Sequence, residues 1–235
     1  MNYSVKPWIG YVIGFILATV CSCDSNDDSG RPPRPSDYLP MKKGMFSIYD
    51  VSETDYALGV PTTYTYELKT IAVDSFPSSS GVYTYVVYRY KKQPGQSAWI
   101  YLDTWSAAID NQEAIINEAN IPYLRLKTPI NNGFEWDGNT YNSNGKDEYT
   151  MQDVNVSHTY ADITYADCIT VRQSDNGDLI VFLDQRQEVF SKNVGLVYKE
   201  TTQLHYCTTR QDCLGQQIVE EGLIYKQTIK SHGVE

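Results

Sequence analysis

Short runs in which polar and apolar residues alternate recur along most of the chain. Between residues 62 and 73, Tyr64, Tyr66 and Leu68 fall on one face, while threonines and charged residues fall on the other. This alternation is typical of a strand with one buried face. Similar or wholly apolar runs predict further strands at residues 82–90, 97–106, 122–127, 169–173, 179–184, 186–190, 195–206 and 222–229.

Two of these runs carry finer expectations. Within residues 122–127, Leu124 and Leu126 alternate with Arg125, which places the arginine on the face opposite the leucines. Residues 175–178 read Asp-Asn-Gly-Asp. Because Asn-Gly supports the positive φ angles of a type I′ turn, we expect a hairpin turn there.

The remaining patterns fix the fold class. The apolar positions of residues 110–120 fit one face of a helix loosely, and residues 114–117 fit a strand equally well. Strands recur every 8–12 residues or so, with turn signals between them and no regular alternation with helices. We therefore expect one antiparallel, mainly β domain over residues 38–235, with a curved sheet forming an open or closed barrel and at most one short helix.

The N-terminal stretch has a different pattern. Residues 8–20 form an uncharged, largely apolar run, which is too short for a spanning helix but suits a secretion signal. Val20-Cys21-Ser22-Cys23 follows and resembles the lipobox of bacterial lipoproteins. The resemblance implies that residues 1–22 are a signal peptide and that Cys23 becomes the lipid-bearing N-terminus. Cys21 is the alternative lipid site, and a short anchoring helix is the alternative to a signal peptide.

Polar residues follow the predicted lipid site. Asp24, Asp27 and Asp28 resemble the surface-export signal of Bacteroidota lipoproteins, which implies lipid anchoring at the outer membrane, on the cell surface. In enteric bacteria, an Asp directly after the lipidated cysteine favours inner-membrane retention instead. Residues 31–35 read Arg-Pro-Pro-Arg-Pro, and such segments stay extended. Residues 23–37 are therefore predicted to be a flexible tether.

Charge narrows the choice of partners. The whole chain carries a formal charge of −10, and removal of residues 1–22 with their single cation, Lys6, makes it −11. An acidic chain disfavours nucleic acid, which binds basic surfaces, and it disfavours electrostatic binding to anionic lipid. We expect the protein to meet the membrane through its lipid anchor, and to meet a glycan or an envelope protein as partner.

The cysteines of the domain suggest structural roles. Cys207 and Cys213 flank a short polar loop between two strands, and outside the cytoplasm such a pair is expected to form a disulfide. Cys168 lies among apolar residues and is expected to be a buried thiol. His158, His205 and His232 are isolated, and no metal or nucleophile motif occurs, so the sequence predicts no catalytic residue, metal or cofactor.

Three weaker candidates for binding or catalysis remain. The carboxylates Asp184 and Glu188, or Asp167, are candidates for a glycosidase pair. Aromatic residues of the second and third predicted strands either line a binding face or pack in the core; they are Tyr83, Tyr85, Trp99, Tyr101 and Trp105. Loop residues with oxygen side chains could bind Ca²⁺, although turn chemistry explains them better; they are Asp175, Asn176, Asp178, Asn142, Asn144 and Asp147.

Several segments of the domain resemble a group of Bacteroidota lipoproteins with no assigned activity. They are residues 38–40 (Tyr-Leu-Pro) with Gly44, 66–69 (Tyr-Glu-Leu-Lys), 87–90 (Val-Tyr-Arg-Tyr) before Trp99, 134–139 (Phe-Glu-Trp-Asp-Gly-Asn) and 194–200 (Val-Gly-Leu-Val-Tyr-Lys-Glu). The resemblance implies a surface or periplasmic β lipoprotein and offers no catalytic residues to carry over. Our first hypothesis is a non-enzymatic, lipid-anchored envelope protein with a binding or structural role. A glycan hydrolase and a carrier of an apolar ligand are the alternatives.

Overall fold

The computed structural model describes residues 1, 3, 30–78 and 81–235. The predicted signal peptide and both candidate lipid sites, Cys21 and Cys23, lie outside the described residues. The chain separates into two compact units, Met1–Arg31 and Pro32–Glu235, and the second holds all the regular structure that follows. Among the helices described, none has the length and hydropathy needed to span a membrane.

One short helix precedes twelve strands. The elements are α1 (Pro35–Tyr38), β1 (Met45–Ala57), β2 (Val60–Pro77), β3 (Tyr83–Lys92), β4 (Ile100–Ile109), β5 (Glu113–Glu118), β6 (Ile121–Lys127), β7 (Glu135–Asp137), β8 (Glu148–Tyr160), β9 (Ile163–Asp178), β10 (Phe182–Ser191), β11 (Gly195–Tyr206) and β12 (Val219–Val234). Most of the predicted strands are present and are longer than the sequence pattern indicates. The strands predicted separately at residues 179–184 and 186–190 are an exception, because residues 179–181 form a turn and the rest belongs to the single strand β10.

All twelve strands belong to a single antiparallel sheet. Its order is β6-β5-β4-β3-β2-β1-β12-β11-β10-β9-β8-β7, so β6 and β7 are the edges. The two edges meet, because the backbone N–H of Leu124 donates to the carbonyl of Gly138 at 2.9 Å and Nε1 of Trp136 donates to the carbonyl of Leu124 at 2.9 Å. The sheet therefore curls into a nearly closed barrel, which confirms the predicted fold class.

Helix α1 packs at one end of this barrel. Tyr38 and Leu39 are buried in a cluster with Leu126, Trp136 and Phe190, among other residues. The carbonyl of Asp37 accepts the backbone N–H of Asn193, in the turn between β10 and β11, at 2.7 Å. A second cluster, centred on Tyr49, Leu68 and Ile229, fills the interior further along β1, β2 and β12.

Regular structure begins inside the stretch predicted as tether. Pro35 opens α1 at a position where proline is favoured because it needs no donor there, and it is buried. The carboxylate of Asp37 accepts the backbone N–H of Arg34 at 2.9 Å. The folded unit extends to Pro32, a few residues before the expected start at residue 38.

The helical alternative for residues 110–120 is wrong, and the strand alternative is confirmed as β5. One carboxylate oxygen of Asp110 accepts the backbone N–H groups of Gln112 at 2.7 Å and Glu113 at 2.8 Å. These bonds close a tight turn between β4 and β5. The apolar residues that follow are then held between two neighbouring strands.

The hairpin turn predicted at Asn176-Gly177 is also wrong. Strand β9 continues to Asp178, with Gly177 paired opposite Leu183, and the turn occupies residues 179–181. A carboxylate oxygen of Asp178 accepts the backbone N–H of Ile180 at 2.7 Å and also that of Val181. This side-chain turn moves the reversal beyond the Asn-Gly pair.

Candidate functional site

A cavity of about 470 Å³ lies inside the barrel. Its volume falls within the range of roughly 300–1,000 Å³ that is usual for small-molecule sites. The wall next to α1 is apolar and includes Leu39, Met41, Phe190 and Leu196, and Leu68 continues the apolar lining toward the second cluster. The lining also includes six charged side chains: Glu53, Arg89, Glu118, Arg125, Glu188 and Lys199. The cavity therefore combines an apolar wall with a balanced set of charges.

A buried ion network forms one side of the cavity. One oxygen of Glu188 accepts from Arg125 at 3.2 Å and from Lys199 at 3.1 Å, and Arg125 also pairs with Glu118. The Glu188 side chain is only 4% exposed. Burial by itself raises the pKa of Glu188, but the charges of Arg125 and Lys199 outweigh it, so the pKa lies below its ordinary value. Glu188 is thus held as a carboxylate.

The position of Arg125 departs from the sequence expectation. In the pairing of β5 with β6, Ala114 faces Leu126 and Ile115 faces Leu124, so Arg125 is the extra residue of a β-bulge. Both leucines are fully buried and Arg125 is 7% exposed. A bulge breaks the strict alternation of side chains and re-aims the bulged residue. Arg125 can therefore be buried between two buried leucines.

A second arginine is held at the cavity wall. Nη1 of Arg89 donates to both carboxylate oxygens of Asp103, at 2.9 and 3.3 Å. The guanidinium carbon lies 3.8 Å from the centre of the Trp105 ring, which also lines the cavity. The stacking and the ion pair together fix the plane of the guanidinium. Nε of Arg89 is buried and has no hydrogen-bond partner among the described residues.

Two tyrosines add hydroxyl groups to the cavity. Tyr66 donates its hydroxyl to Glu53 at 2.6 Å, and burial, together with this bond, raises the pKa of Tyr66 above its ordinary value. Tyr225 donates to the side-chain oxygen of Gln227 at 2.7 Å, and burial raises its pKa as well. Both hydroxyls therefore stay protonated and serve as hydrogen-bonding groups rather than bases.

The carboxylates predicted as a glycosidase pair belong to different groups of interacting residues. Glu188 belongs to the buried network, whereas Asp184 pairs with Arg186 at 2.7 Å. Arg186 in turn binds both oxygens of Asp147, at 2.8 and 2.9 Å. Asp167 lies near the turn between β10 and β11, where its carbonyl accepts the N–H of Lys192. The structure gives Asp184 and Glu188 ion-pair roles.

The cysteines of the domain follow the sequence expectation. Cys207 and Cys213 form a disulfide in the segment between β11 and β12. Cys168 is a free and fully buried thiol. Burial raises the pKa of the Cys168 thiol above its ordinary value, which disfavours the reactive thiolate.

The candidate calcium loops are held by turn chemistry. Asn142 accepts the backbone N–H of Asn144 at 2.9 Å, and Asp147 and Asp178 are used by Arg186 and by the β9–β10 turn, as described above. Asp175 pairs with Arg172. Within residues 30–78 and 81–235, no group of His, Cys, Asp and Glu side chains is arranged to hold a metal ion.

The aromatic set does not form one binding face. Trp105 lines the cavity, whereas Tyr101 is 52% exposed and packs edge-on against Tyr88 and Tyr90. Nζ of Lys92 lies over the ring of Trp99, 4.7 Å from the ring centre. Tyr83 is half-exposed at 50%, and Tyr85 is partly buried.

Comparison with known proteins adds little about activity. No protein-family model and no curated protein gives a significant match. The chain is similar to a solved Bacteroides fragilis protein described as exported, with a YmcC-like fold, at 10% identity over 83% of this chain and 98% of that chain, with a TM-score of 0.46. It is also similar to a Parabacteroides distasonis protein described as a lipoprotein, at 10% identity, the same two coverages and a TM-score of 0.43. At these scores the likenesses carry no argument about function.

Proposed function

We propose that this chain is a non-enzymatic, lipid-anchored envelope protein of the outer membrane surface that binds a small ligand inside its barrel. The cavity of about 470 Å³, with its apolar wall, carries the ligand-binding part of this proposal. The proposed location rests on the sequence, in which Cys23 follows an apolar run typical of a secretion signal. The disulfide between Cys207 and Cys213 also suits an exported protein.

The carrier alternative becomes part of this proposal, and the hydrolase alternative loses support. A glycosidase needs a carboxylic acid whose pKa is raised so that it can donate a proton. The buried carboxylate at the cavity, Glu188, instead has a lowered pKa because Arg125 and Lys199 face it. Glu118 is engaged by Arg125, and Glu53 accepts the hydroxyl of Tyr66. These pairings favour binding over acid catalysis.

The anchor is tested by metabolic labelling. Cells expressing the full chain are fed an alkyne-bearing fatty acid, and wild type is compared with Cys23→Ala and Cys21→Ala. We expect Cys23→Ala to lose the label and Cys21→Ala to keep it, and external protease to digest the wild-type protein on intact cells. Label on Cys23→Ala contradicts the lipid site, and full protection from protease contradicts the surface location.

The ligand site is tested with a neutral fluorescent probe, N-phenyl-1-naphthylamine. Residues 24–235 are used, because they contain the compact unit Pro32–Glu235 with its own buried cores. Leu223 lines the cavity, whereas the next residue, Ile224, points to the opposite face of β12. We expect saturable binding that falls at least tenfold in Leu223→Trp and is kept in the matched control Ile224→Trp. Absence of binding to wild type contradicts the proposal.

A further inference from the structure

We propose that the barrel cavity takes an amphipathic monocarboxylic acid, whose carboxylate pairs with the guanidinium of Arg89 and whose apolar body lies against the wall next to α1. This inference rests on the proposed ligand-binding function and specifies the ligand of that same site. It is derived from the donors left open at the cavity, from the balance of charge there and from the distribution of apolar residues.

Arg89 presents a guanidinium that is held in place at the cavity wall. Its Nη1 is committed to Asp103, and its guanidinium carbon lies over the Trp105 ring, 3.8 Å from the ring centre. The side chain is 14% exposed, and Nε finds no acceptor in the described part of the chain. Nε is covered by protein atoms, so a ligand carboxylate would meet the terminal N–H groups of the guanidinium, which lines the cavity. A guanidinium fixed in this way is suited to a carboxylate.

The other cations of the cavity are already used. Arg125 is shared between Glu118 and Glu188, and Lys199 pairs with Glu188. The partner of Arg89 is different, because the Asp103 side chain is 42% exposed and its charge is therefore screened by water. Among the three cations of this lining, Arg89 is therefore the one whose positive charge is least neutralised by its partner, so it is the most available to a ligand.

The charge balance favours a monoanion over a dianion. The lining holds three carboxylates and three cations, and the partner of Arg89, Asp103, adds a further carboxylate beside it. No excess positive charge is therefore present to balance a second negative charge on a ligand. Glu53 belongs to the same lining, and its charge repels a ligand of higher negative charge, although the hydroxyl of Tyr66 partly satisfies it. A phosphate group would bring nearly two charges at neutral pH. A single carboxylate fits this site better.

The apolar wall accounts for the rest of the ligand. Leu39 and Met41 approach from the α1 end, Phe190 and Leu196 complete that wall, and Leu68 adds an apolar side chain from β2. Contact with these side chains removes the alkyl chain or ring of the ligand from water. This burial supplies binding free energy without requiring that the ligand have one precise shape. The carboxylate and the apolar part of the ligand therefore contact different parts of one cavity.

The test is displacement of N-phenyl-1-naphthylamine at pH 8 by decanoate, decanol and decyl phosphate. The matched control for Arg89→Gln is Arg186→Gln, because Arg186 is 17% exposed and also holds two oxygens of one Asp but is absent from this cavity lining. Cooperative urea unfolding of each variant checks that it is folded.

In wild type and in Arg186→Gln, we expect decanoate to displace the probe at a concentration at least tenfold lower than decanol or decyl phosphate does. In Arg89→Gln, that preference should disappear while the affinity for the neutral probe is kept. Equal displacement by decanoate and decanol in wild type, better displacement by decyl phosphate, or an unchanged preference in Arg89→Gln would overturn the inference. Absence of probe binding to wild type instead overturns the ligand-binding function itself.

Discussion

Removal of the charge of Glu188 should destabilise the barrel far more than removal of an exposed charge. Glu188→Gln keeps the size and hydrogen-bonding capacity of the side chain but leaves Arg125 and Lys199 facing a neutral group. The side chains of Glu188 and Arg125 are 4% and 8% exposed, so water replaces the lost charge only to a small extent. Breaking a buried ion pair on one side typically costs about 3–5 kcal/mol, and we expect a loss of about that size.

The assay is urea unfolding of residues 24–235, followed by circular dichroism and by tryptophan fluorescence. The control is Asp175→Asn, the same change from acid to amide at the pair with Arg172, whose side chains are 39% and 50% exposed. An exposed pair of this kind contributes roughly 0–1 kcal/mol. If Glu188→Gln costs no more than the control, with unchanged dependence on urea, the reasoning about the buried network is wrong.

The same network predicts the direction of a pH effect. The pKa of Glu188 is lowered in the folded protein, so its contribution to stability is fully present above its unfolded pKa of about 4.3. That contribution is lost as the pH falls through the lower, folded pKa. The stability difference between wild type and Glu188→Gln should therefore be constant from pH 7 to 5 and should shrink in stronger acid. A difference that grows in acid would contradict the assignment.

Three further changes follow from the structure. Reduction of the disulfide between Cys207 and Cys213, six residues apart, should lower the free energy of unfolding by roughly 2 kcal/mol, because a short loop is released in the unfolded chain; urea curves with and without reductant measure this, and a Cys207→Ser/Cys213→Ser double variant should not respond to reductant. Cys168 should react with a disulfide reagent such as dithionitrobenzoate only at the rate of unfolding, because its thiol is buried and its pKa is raised; rapid reaction of the native protein would contradict its burial. Gly222→Ala should destabilise the barrel by about 1–3 kcal/mol or more, because φ at Gly222 is +142° and a Cβ there would lie 2.2 Å from the carbonyl oxygen of Gln203; unchanged stability in a thermal melt would show that β11 and β12 can separate at this point.

Alternation in the sequence could predict the sheet but not all of its length. Strand β2 shows a clear two-residue period and was predicted, whereas β8, from Glu148 to Tyr160, was not. Asp153 and Asn155 have positive φ angles within β8, and its pairing with β9 shifts register between Gln152 and Val156 and again before His158. A strand interrupted in this way carries no regular period, so sequence pattern alone misses it.

Composition and spacing predicted the Cys207–Cys213 disulfide and the burial of Cys168, because both follow from local sequence. The interior charges could not be predicted in the same way. Lys199 and Glu188 face each other across β10 and β11, but Arg125 reaches Glu188 from a strand 63 residues earlier. Such a pairing forms only if the barrel closes. The strand pattern of one sequence fits both a closed barrel and an open sheet, so it does not predict this contact.

Breaks in strand register explain why the cavity charges escape a pattern-based prediction. Arg125 is the bulged residue of β6, and the β3–β4 pairing shifts register directly after Arg89. Glu188 lies between two such shifts, one in the β9–β10 pairing and one in the β10–β11 pairing. Each break disrupts the hydrogen-bond ladder, so it is unfavourable for the sheet alone, and bulges are enriched beside functional sites because they re-aim side chains. Three charged residues of one cavity therefore lie beside breaks in register, where the two-residue period of a strand no longer tells to which face a side chain points.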